Sequence, residues 1–363
     1  MVKNVALVFF GHENGVSQDR GKAIIDEFPK NGYPFFELRF LCATDEESAV
    51  ECISALDEAD NVVVVSERAR VLSIAEKVSS IKGVSCVGDG KGAGVLSEGD
   101  KTAFFLPFEE MEYVKNTCVP YLNRKYSTRY DRMVFRTVGA ERETIESLIA
   151  TAKRMGGELL SFRTQGKYDE TVVEIFYDER APKLLIDDVL RLFAEGLQES
   201  VYALDDTPLE VQLVRLLKLR GKKIAVAESF TGGGIGRRIV SVSGASEVYF
   251  ESLNTYSERS KALRLGVSDY TLNTFGAVSD ATAYEMAAGL LSSGESDIVL
   301  ATTGLAGPKS DKSEQPVGLS YIAVGTKEKI FVYRYKFDGT REEITEKAIV
   351  YALFNAYRHL KNL

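Results

Sequence analysis

The feature that most constrains the fold of this chain is the alternation of short apolar runs with segments of helical periodicity. Residues 5–10 (VALVFF), 61–66 (NVVVVS) and 101–106 (KTAFFL) have the length and composition of buried strands. Residues 19–28 and 46–56 carry the spacing of amphipathic helices, and Pro107 with two following acids favours a helix start there. Strands that alternate with helices form a parallel sheet covered on both faces, so we predict a doubly wound α/β domain.

A polar stretch at residues 123–132 (NRKYSTRYDR) indicates a domain boundary. A small α+β unit follows it, with predicted strands at 133–137, 158–163 and 171–177 and helices at 143–155 and 184–195. We expect Asp205, Asp206 and Thr207 to cap the next helix, which ends near Leu219. The predicted domains are therefore residues 1–125, 126–205 and 206–363.

The third block has the pattern of another α/β domain. The predicted elements are strands at 224–227, 297–302, 317–325 and 329–335, with a helix from Ile235 onward and a final helix at 341–360. The last two of these strands, at 317–325 and 329–335, are close enough along the chain to be neighbours in a sheet. The whole chain is thus expected to be a three-domain α/β protein.

The composition excludes several kinds of site. The chain has only two histidines, His12 and His359, which leaves almost no supply for a Ser-His-Asp triad or a histidine-based zinc site. The four cysteines lack a C-x-x-C pair, which argues against a disulfide framework or zinc site. A net charge of −8 argues against non-specific nucleic-acid binding. No apolar run is long enough to span a membrane, so we expect a cytoplasmic protein.

The strongest chemical signal is a serine followed by glycines at the end of a short buried strand. Ser229 comes directly after the predicted strand, and Gly232, Gly233 and Gly234 open the following helix. Open α/β sheets bind ligands at the carboxyl ends of their strands, and a helix N-terminus offers N–H groups to a phosphate or an oxyanion. A plain strand-to-helix turn that needs glycine for packing stays open as an alternative.

Two charged residues in the same block could serve a serine nucleophile. Lys261 could form a Ser/Lys dyad if burial or nearby positive charge kept its amine neutral, whereas a lone surface lysine would be a solvated charge. Arg341 follows a turn and could grip a phosphate, although alone it fits an exposed arginine at a helix start. A second glycine-bearing loop, residues 303–308, follows another predicted strand.

Taken together and in order, these motifs resemble the nicotinamide mononucleotide deamidase domain of the CinA family. The shared strings are AVAESFTGG at 225–233, GAS at 244–246, YS at 256–257 with Lys261, LGV at 265–267, GAVS at 276–279, TGLAGP at 303–308, PVG at 316–318 and FDGTR at 337–341. Upstream, FRTVG at 135–139 resembles the start of the family's KH-like middle domain. LP at 106–107 with EEM at 109–111 resembles the end of its molybdopterin-binding-like first domain.

The resemblance implies an amidohydrolase that deamidates nicotinamide mononucleotide to nicotinic acid mononucleotide and ammonia. By position, Ser229 would be the nucleophile, Lys261 its general base and Tyr256 a residue that assists or orients the dyad. Substrate contacts would come from Arg341, from Thr303 and Gly304, and from the backbone N–H groups of Thr231, Gly232 and Gly233. No metal and no cofactor is implied; the expected partners are a nucleotide substrate and a second copy in a homodimer.

Several positions depart from the family pattern. Lys309, Ser310 and Asp311 stand where the family has glycines, and Gln315 replaces a lysine. The remaining departures are Phe230 for a cysteine, Ser252 for a glycine and Phe275 where a histidine is common. These changes bear on substrate fit. The alternative is therefore a catalytically degenerate member with a binding or regulatory role linked to competence or DNA damage.

The first domain has lost the motifs of family members that cleave nucleotide pyrophosphates. Its first strand ends in GHENG at 11–15, without the Asp-Glu pair, and SERAR at 66–70 replaces a glycine-rich loop. Without those glycines the backbone cannot cradle a phosphate. We expect this domain to be a scaffold without pyrophosphatase activity.

Overall fold

A computed structural model describes residues 3–11, 19–127, 130–308 and 315–362. The chain divides into two compact units. One comprises Met1–Arg132 with Gly156–Ser161 and Phe176–Lys183; the other comprises Met133–Met155, Phe162–Ile175 and Leu184–Leu363. The described residues form three sheets, and the predicted multi-domain α/β class is confirmed. The three domains predicted from the sequence divide the chain differently from these two units, and they stay a prediction.

The N-terminal sheet has six strands in the order β2-β1-β3-β6-β5-β4. The strands are β1 Asn4–Phe10, β2 Phe35–Cys42, β3 Asn61–Ser66, β4 Val87–Gly88, β5 Gly94–Glu98 and β6 Lys101–Pro107. The helices are α1 Lys22–Lys30, α2 Asp45–Glu58, α3 Arg68–Lys82, α4 Met111–Tyr113 and α5 Val119–Tyr126. β1 is parallel to β2 and β3, and β3 is parallel to β6. Separate apolar clusters cover the two faces, which confirms the doubly wound arrangement.

The helix predicted to open at Pro107 begins later. Pro107 is the last residue of β6, opposite Ser66, and the Phe108 N–H donates to the Ser66 carbonyl at 3.0 Å. The strand therefore includes the proline as its last residue, because proline is tolerated at a strand end as well as at a helix start. The first helical residue is Met111.

The middle of the chain forms a four-stranded sheet in the order β10-β7-β9-β8. Its elements are β7 Tyr130–Val138, α6 Arg142–Gly156, β8 Leu160–Lys167, β9 Glu170–Asp178, α7 Lys183–Leu197 and β10 Val201–Ala203. Phe193 of α7 lies with its ring centroid 5.5 Å from Phe135 and 6.3 Å from Phe162, so α7 covers one face of the sheet. The predicted α+β unit is confirmed, with β10 as an additional strand.

The next helix, α8 Leu209–Arg220, lacks the predicted cap. Its N-cap is Pro208, and the carboxylate of Asp205 accepts the N–H of Thr207 at 2.9 Å instead. A residue before proline is disfavoured in the helical region, so Thr207 stays outside the helix and the expected cap lies too early.

The C-terminal sheet has five strands in the order β12-β11-β13-β14-β15. The strands are β11 Ile224–Glu228, β12 Tyr249–Asn254, β13 Ile298–Gly304, β14 Leu319–Thr326 and β15 Ile330–Lys336. The helices are α9 Gly234–Val240, α10 Glu258–Leu265, α11 Asp269–Phe275, α12 Asp280–Ser292 and α13 Arg341–Lys361. β11 is parallel to β12 and β13, while β13, β14 and β15 are antiparallel neighbours. The carboxyl ends of β11, β12 and β13 therefore meet at one edge, as ligand-binding α/β sheets require.

Candidate active site

Ser229 lies where β11 ends. β11 is buried along its whole length between two apolar clusters, and the Ser229 N–H donates to the Thr302 carbonyl of the neighbouring β13 at 3.2 Å. The serine is 6% exposed. The buried strand thus fixes the serine at the sheet edge.

Lys261 approaches Ser229 from the first turn of α10. The Ser257 side chain caps this helix by accepting the Ser260 N–H, and the Ser260 hydroxyl accepts the Ser257 N–H. This capping box sets the direction in which α10 leaves β12. The Lys261 Nζ lies 2.8 Å from the Ser229 Oγ, and the lysine is 1% exposed. The structure therefore brings together two residues that the sequence separates by 32 positions.

The hydrogen-bond partners of the Lys261 amine, besides the serine, are backbone carbonyls. Nζ donates to the Thr255 carbonyl at 2.8 Å and to the Tyr256 carbonyl at 3.5 Å. Burial lowers the pKa of Lys261 from 10.5 to about 8, and the charge of Glu258 opposes that shift. A neutral amine has two N–H groups and one lone pair. With both carbonyls as acceptors, the lone pair is left for the Ser229 hydroxyl, which is the arrangement that a general base needs.

The pH dependence of turnover tests this assignment. Only the neutral amine can take the serine proton, so kcat/KM should rise about tenfold per pH unit below the pKa of Lys261 and level off above about 8. The measurement is the initial rate of amide hydrolysis across pH, with the substrate below its KM. A limb that still climbs near the ordinary lysine value of 10.5 would return Lys261 to the role of a permanent charge.

The N–H groups of the glycine turn after Ser229 have acceptors within the turn. The Gly233 N–H donates to the Glu228 carboxylate at 3.0 Å, and the Gly232 N–H donates to the Ser229 carbonyl at 3.1 Å. Neither N–H is therefore free to meet an oxyanion or a phosphate. Acceptors within the turn, the Glu228 carboxylate and the Ser229 carbonyl, already occupy both groups, and the substrate contacts of Gly232 and Gly233 stay a prediction.

Glu228 is the residue that the sequence reasoning overlooked. It is completely buried, and its carboxylate also accepts the N–H groups of Ile235 at 3.1 Å and Gly236 at 2.9 Å and the Ser252 hydroxyl at 3.3 Å. A carboxylate at a helix N-terminus is favourable because it satisfies unpaired N–H groups. The available signal was an acid at the end of an otherwise apolar strand.

Other N–H groups beside the serine stay available. Within the described part of the chain, the N–H groups of Phe230 and Thr231 have no acceptor. Thr231 is buried, and its hydroxyl shares a 2.8 Å hydrogen bond with the Thr302 hydroxyl. Of the three backbone donors expected from the sequence, Thr231 is the one whose N–H has no acceptor among the described residues.

The second glycine loop borders the same edge of the sheet. The Thr303 hydroxyl donates to the Ala277 carbonyl at 2.6 Å, and the residue is 1% exposed. A Cβ on Gly304 would lie 2.8 Å from the Phe230 ring and 2.9 Å from the Leu319 carbonyl oxygen, so only glycine fits there. These contacts hold the loop walls in place. Lys309, Ser310 and Asp311 of this loop lie outside the described residues.

Arg341 and Tyr256 meet on the exposed side of the site. The Arg341 guanidinium donates to the Gly307 carbonyl at 2.6 Å and to the Tyr256 hydroxyl at 3.2 Å. Tyr256 is 65% exposed. Tyr256 contacts the dyad through its backbone carbonyl, which accepts from the Lys261 Nζ. Its phenol contacts Arg341 instead. The guanidinium and the phenol therefore lie together at the second glycine loop.

Comparison with known proteins identifies the family. Residues 206–360 match the CinA C-terminal domain family. A competence-damage inducible protein of Caldicellulosiruptor saccharolyticus is 34% identical over 270 residues, which cover 73% of this chain and 66% of that protein. The chain belongs to the CinA family. A CinA-like protein of Kosmotoga olearia is 32% identical over 71% of this chain and 64% of its own length.

The match does not extend over the whole length of these relatives. The chain spans just under two thirds of the length of these curated CinA proteins, at 66% and 64%. The crystal structure of the competence/damage inducible protein CihA from Agrobacterium tumefaciens is 32% identical, with a TM-score of 0.40; the match covers 44% of this chain and 99% of that one.

Two further findings concern ligands and membranes. Across the described ranges, no group of three or more histidine, cysteine, aspartate or glutamate side chains is arranged to hold a metal ion. In the same ranges, no helix combines the length and the apolar character needed to cross a bilayer.

Proposed function

We propose that this CinA protein hydrolyses the carboxamide of nicotinamide mononucleotide, giving nicotinic acid mononucleotide and ammonia through a Ser229/Lys261 mechanism. The observation that carries the proposal is the buried 2.8 Å contact between the Lys261 Nζ and the Ser229 Oγ. The lowered pKa of the lysine supports it, since a base must be neutral to act.

The first half of the proposed reaction acylates the serine. Ser229 Oγ attacks the carboxamide carbon while its proton passes to the Lys261 amine. The N–H groups of Phe230 and Thr231 are the candidates to stabilise the resulting oxyanion. When the intermediate collapses, the C–N bond breaks, the lysine ammonium returns its proton to the leaving nitrogen, and ammonia departs from an ester on Ser229.

The second half releases the acid. Water takes the place of ammonia, gives a proton to Lys261 and attacks the ester carbonyl. Collapse of the second intermediate breaks the bond to Oγ, and the lysine returns the proton to Ser229. One amide and one water are consumed, and one carboxylic acid and one ammonia are formed, so the cycle balances without an oxidant or a reductant.

Turnover assays with a substrate panel test the proposal. We expect ammonia release from nicotinamide mononucleotide and slower or no release from the riboside and from free nicotinamide. If the protein releases no ammonia from any panel member yet binds nucleotide, the degenerate regulatory interpretation stands. The competence-damage wording in the relatives' names and the aromatic Phe230 beside the serine favour that second candidate.

Arg341 is the proposed phosphate contact. Arg341→Ala should lower kcat/KM by about 10- to 100-fold, mainly through a higher KM, because a hydrogen bond to a charged group contributes roughly 1.5–3 kcal/mol. Steady-state kinetics on the nucleotide provide the measurement. The matched control is Arg334→Ala, because Arg334 is a different, exposed arginine that lies on β15. An equal loss on the nucleotide and on a phosphate-free analogue would contradict the phosphate contact.

The first domain is proposed to lack pyrophosphatase activity. At the carboxyl edge of its sheet, the Phe108 ring stacks on Phe10 at 5.7 Å between centroids, and the Arg20 guanidinium lies 4.6 Å from the Phe108 centroid. Arg20 and Arg68 are paired with Glu67 and Glu110. The chain's own side chains thus occupy the usual ligand position. Residues 12–15 of the altered first motif lie outside the described residues.

The full chain carrying Ser229→Ala separates this activity from the amidase. It should release no AMP and no ribose phosphate from ADP-ribose with Mg²⁺, Mn²⁺ or Co²⁺ above the rate without protein. Product analysis by chromatography is the measurement. Metal-dependent release of both products would contradict the scaffold interpretation.

A further inference from the structure

Strand β2 forms an unprotected edge of the N-terminal sheet. Among the described residues it pairs only with β1 and stands last in the strand order. It has eight residues, contains no proline and exposes large apolar side chains, with Phe36 74% and Leu38 42% exposed. The opposite edge, β4, has only two residues. Long apolar edges are templates for pairing with another strand, and natural proteins ordinarily shorten or block them.

The sequence of β2 is complementary to itself when reversed about Leu38. In an antiparallel pair with that centre, Leu38 faces Leu38 of a second copy and Phe36 faces Phe40. Glu37 faces Arg39, so each copy contributes one acid and one base to two ion pairs. Opposite charges and aromatic pairs directly across strands stabilise a sheet, whereas like charges there destabilise it.

We infer that two copies of this chain pair through their β2 strands, antiparallel about a two-fold axis at Leu38, so that the two N-terminal sheets become continuous. Such an interface is isologous, because each residue contacts the symmetry-related position. Main-chain hydrogen bonds between the two β2 strands stabilise the dimer, and the Glu37–Arg39 and Phe36–Phe40 pairs fix the register.

The contacts that Glu37 and Arg39 make within one copy are compatible with this pairing of two strands. Arg39 donates to Glu37 on its own strand at 2.8 Å and contacts Glu51 of α2. A two-fold partner brings a second copy of the Glu37 carboxylate opposite the same guanidinium, which has five donors in a planar fork. The arginine can therefore keep its contact with α2 while it binds the partner. Lys3, over the Phe36 ring at 5.0 Å, adds a cation near the acid.

Sedimentation of the full chain tests the surface. The wild type should be a dimer. Leu38→Lys puts two like charges opposite each other and should shift the protein to the monomer mass or raise the dimer Kd at least about tenfold. Val87→Lys, on the opposite edge strand, is the control and should leave the mass unchanged. Circular dichroism establishes that each variant folds.

Charge exchange tests the register. Glu37→Arg should weaken the dimer because it places two guanidinium groups opposite each other, and Glu37→Arg combined with Arg39→Glu should restore it. In a Cys42→Ser background, Leu38→Cys should form an intermolecular disulfide under mild oxidation, while Leu72→Cys on α3 should not.

Three results would overturn the inference. The first is a monomeric wild type. The second is a dimer unaffected by Leu38→Lys, and the third is a Leu38→Cys variant that crosslinks no faster than the control. None of these outcomes depends on amidase activity.

Discussion

Ser229→Ala should lower ammonia release from nicotinamide mononucleotide by about 10⁴-fold or more. Among the described residues, the serine is the only nucleophilic side chain that contacts the Lys261 amine, so its loss leaves the base with no hydroxyl to activate. Initial rates at saturating substrate provide the measurement. The variant should keep its fold, because the substitution removes one hydroxyl at the sheet edge and no apolar packing.

Ser241→Ala is the matched control, since Ser241 is an exposed serine just after α9. It should retain wild-type turnover. A Ser229→Ala protein with a normal melting temperature and near-normal ammonia release would exclude a serine mechanism and direct attention to direct attack by water.

Lys261→Arg should be nearly inactive, with a loss of about 10³-fold or more in kcat, although it preserves the positive charge. An arginine side chain cannot be deprotonated in a protein, so it cannot accept the serine proton. Lys261→Met should be equally inactive, because it keeps a side chain of similar length without a base. The two variants together separate loss of basicity from loss of charge.

Lys222→Arg supplies the control, because Lys222 is a half-buried lysine before β11 whose ammonium binds Asp297. It should be fully active. Substantial turnover by Lys261→Arg would show that a fixed positive charge suffices, which contradicts the general-base assignment. Melting temperatures exclude the trivial case of a variant that fails to fold around the larger guanidinium.

The sequence predicted most elements that have a strong local signal. β1, β3, β11 and β13 are continuous apolar runs beside glycine or polar residues, and the paired β14 and β15 lie close together along the chain. β2 was not predicted, although residues 36–40 alternate apolar and polar side chains as a half-buried strand does. The short helices α10, α11 and α12 lack a long periodic stripe, and their limits depend on serine caps that only the fold makes visible.

The site was predictable in parts. The serine at a strand end followed from local pattern, but its proximity to Lys261 did not, because it requires β12 to lie beside β11 and carry α10 inward. The family resemblance named the lysine, and the geometry supplies the contact. The hydrogen bond from the Gly233 N–H to the Glu228 carboxylate could not be predicted for a related reason, since it depends on how the turn folds back onto the end of β11.

Trapping the acyl-enzyme with hydroxylamine tests the Ser229/Lys261 dyad most directly. If the nucleotide acyl group passes through an ester on Ser229, hydroxylamine will intercept it. The hydroxamate of nicotinic acid mononucleotide will then form at the expense of the acid, and intact-mass spectrometry with peptide mapping, on samples quenched without hydroxylamine, will place the acyl adduct on Ser229. Ammonia release without hydroxamate and without an adduct on Ser229 would contradict the mechanism.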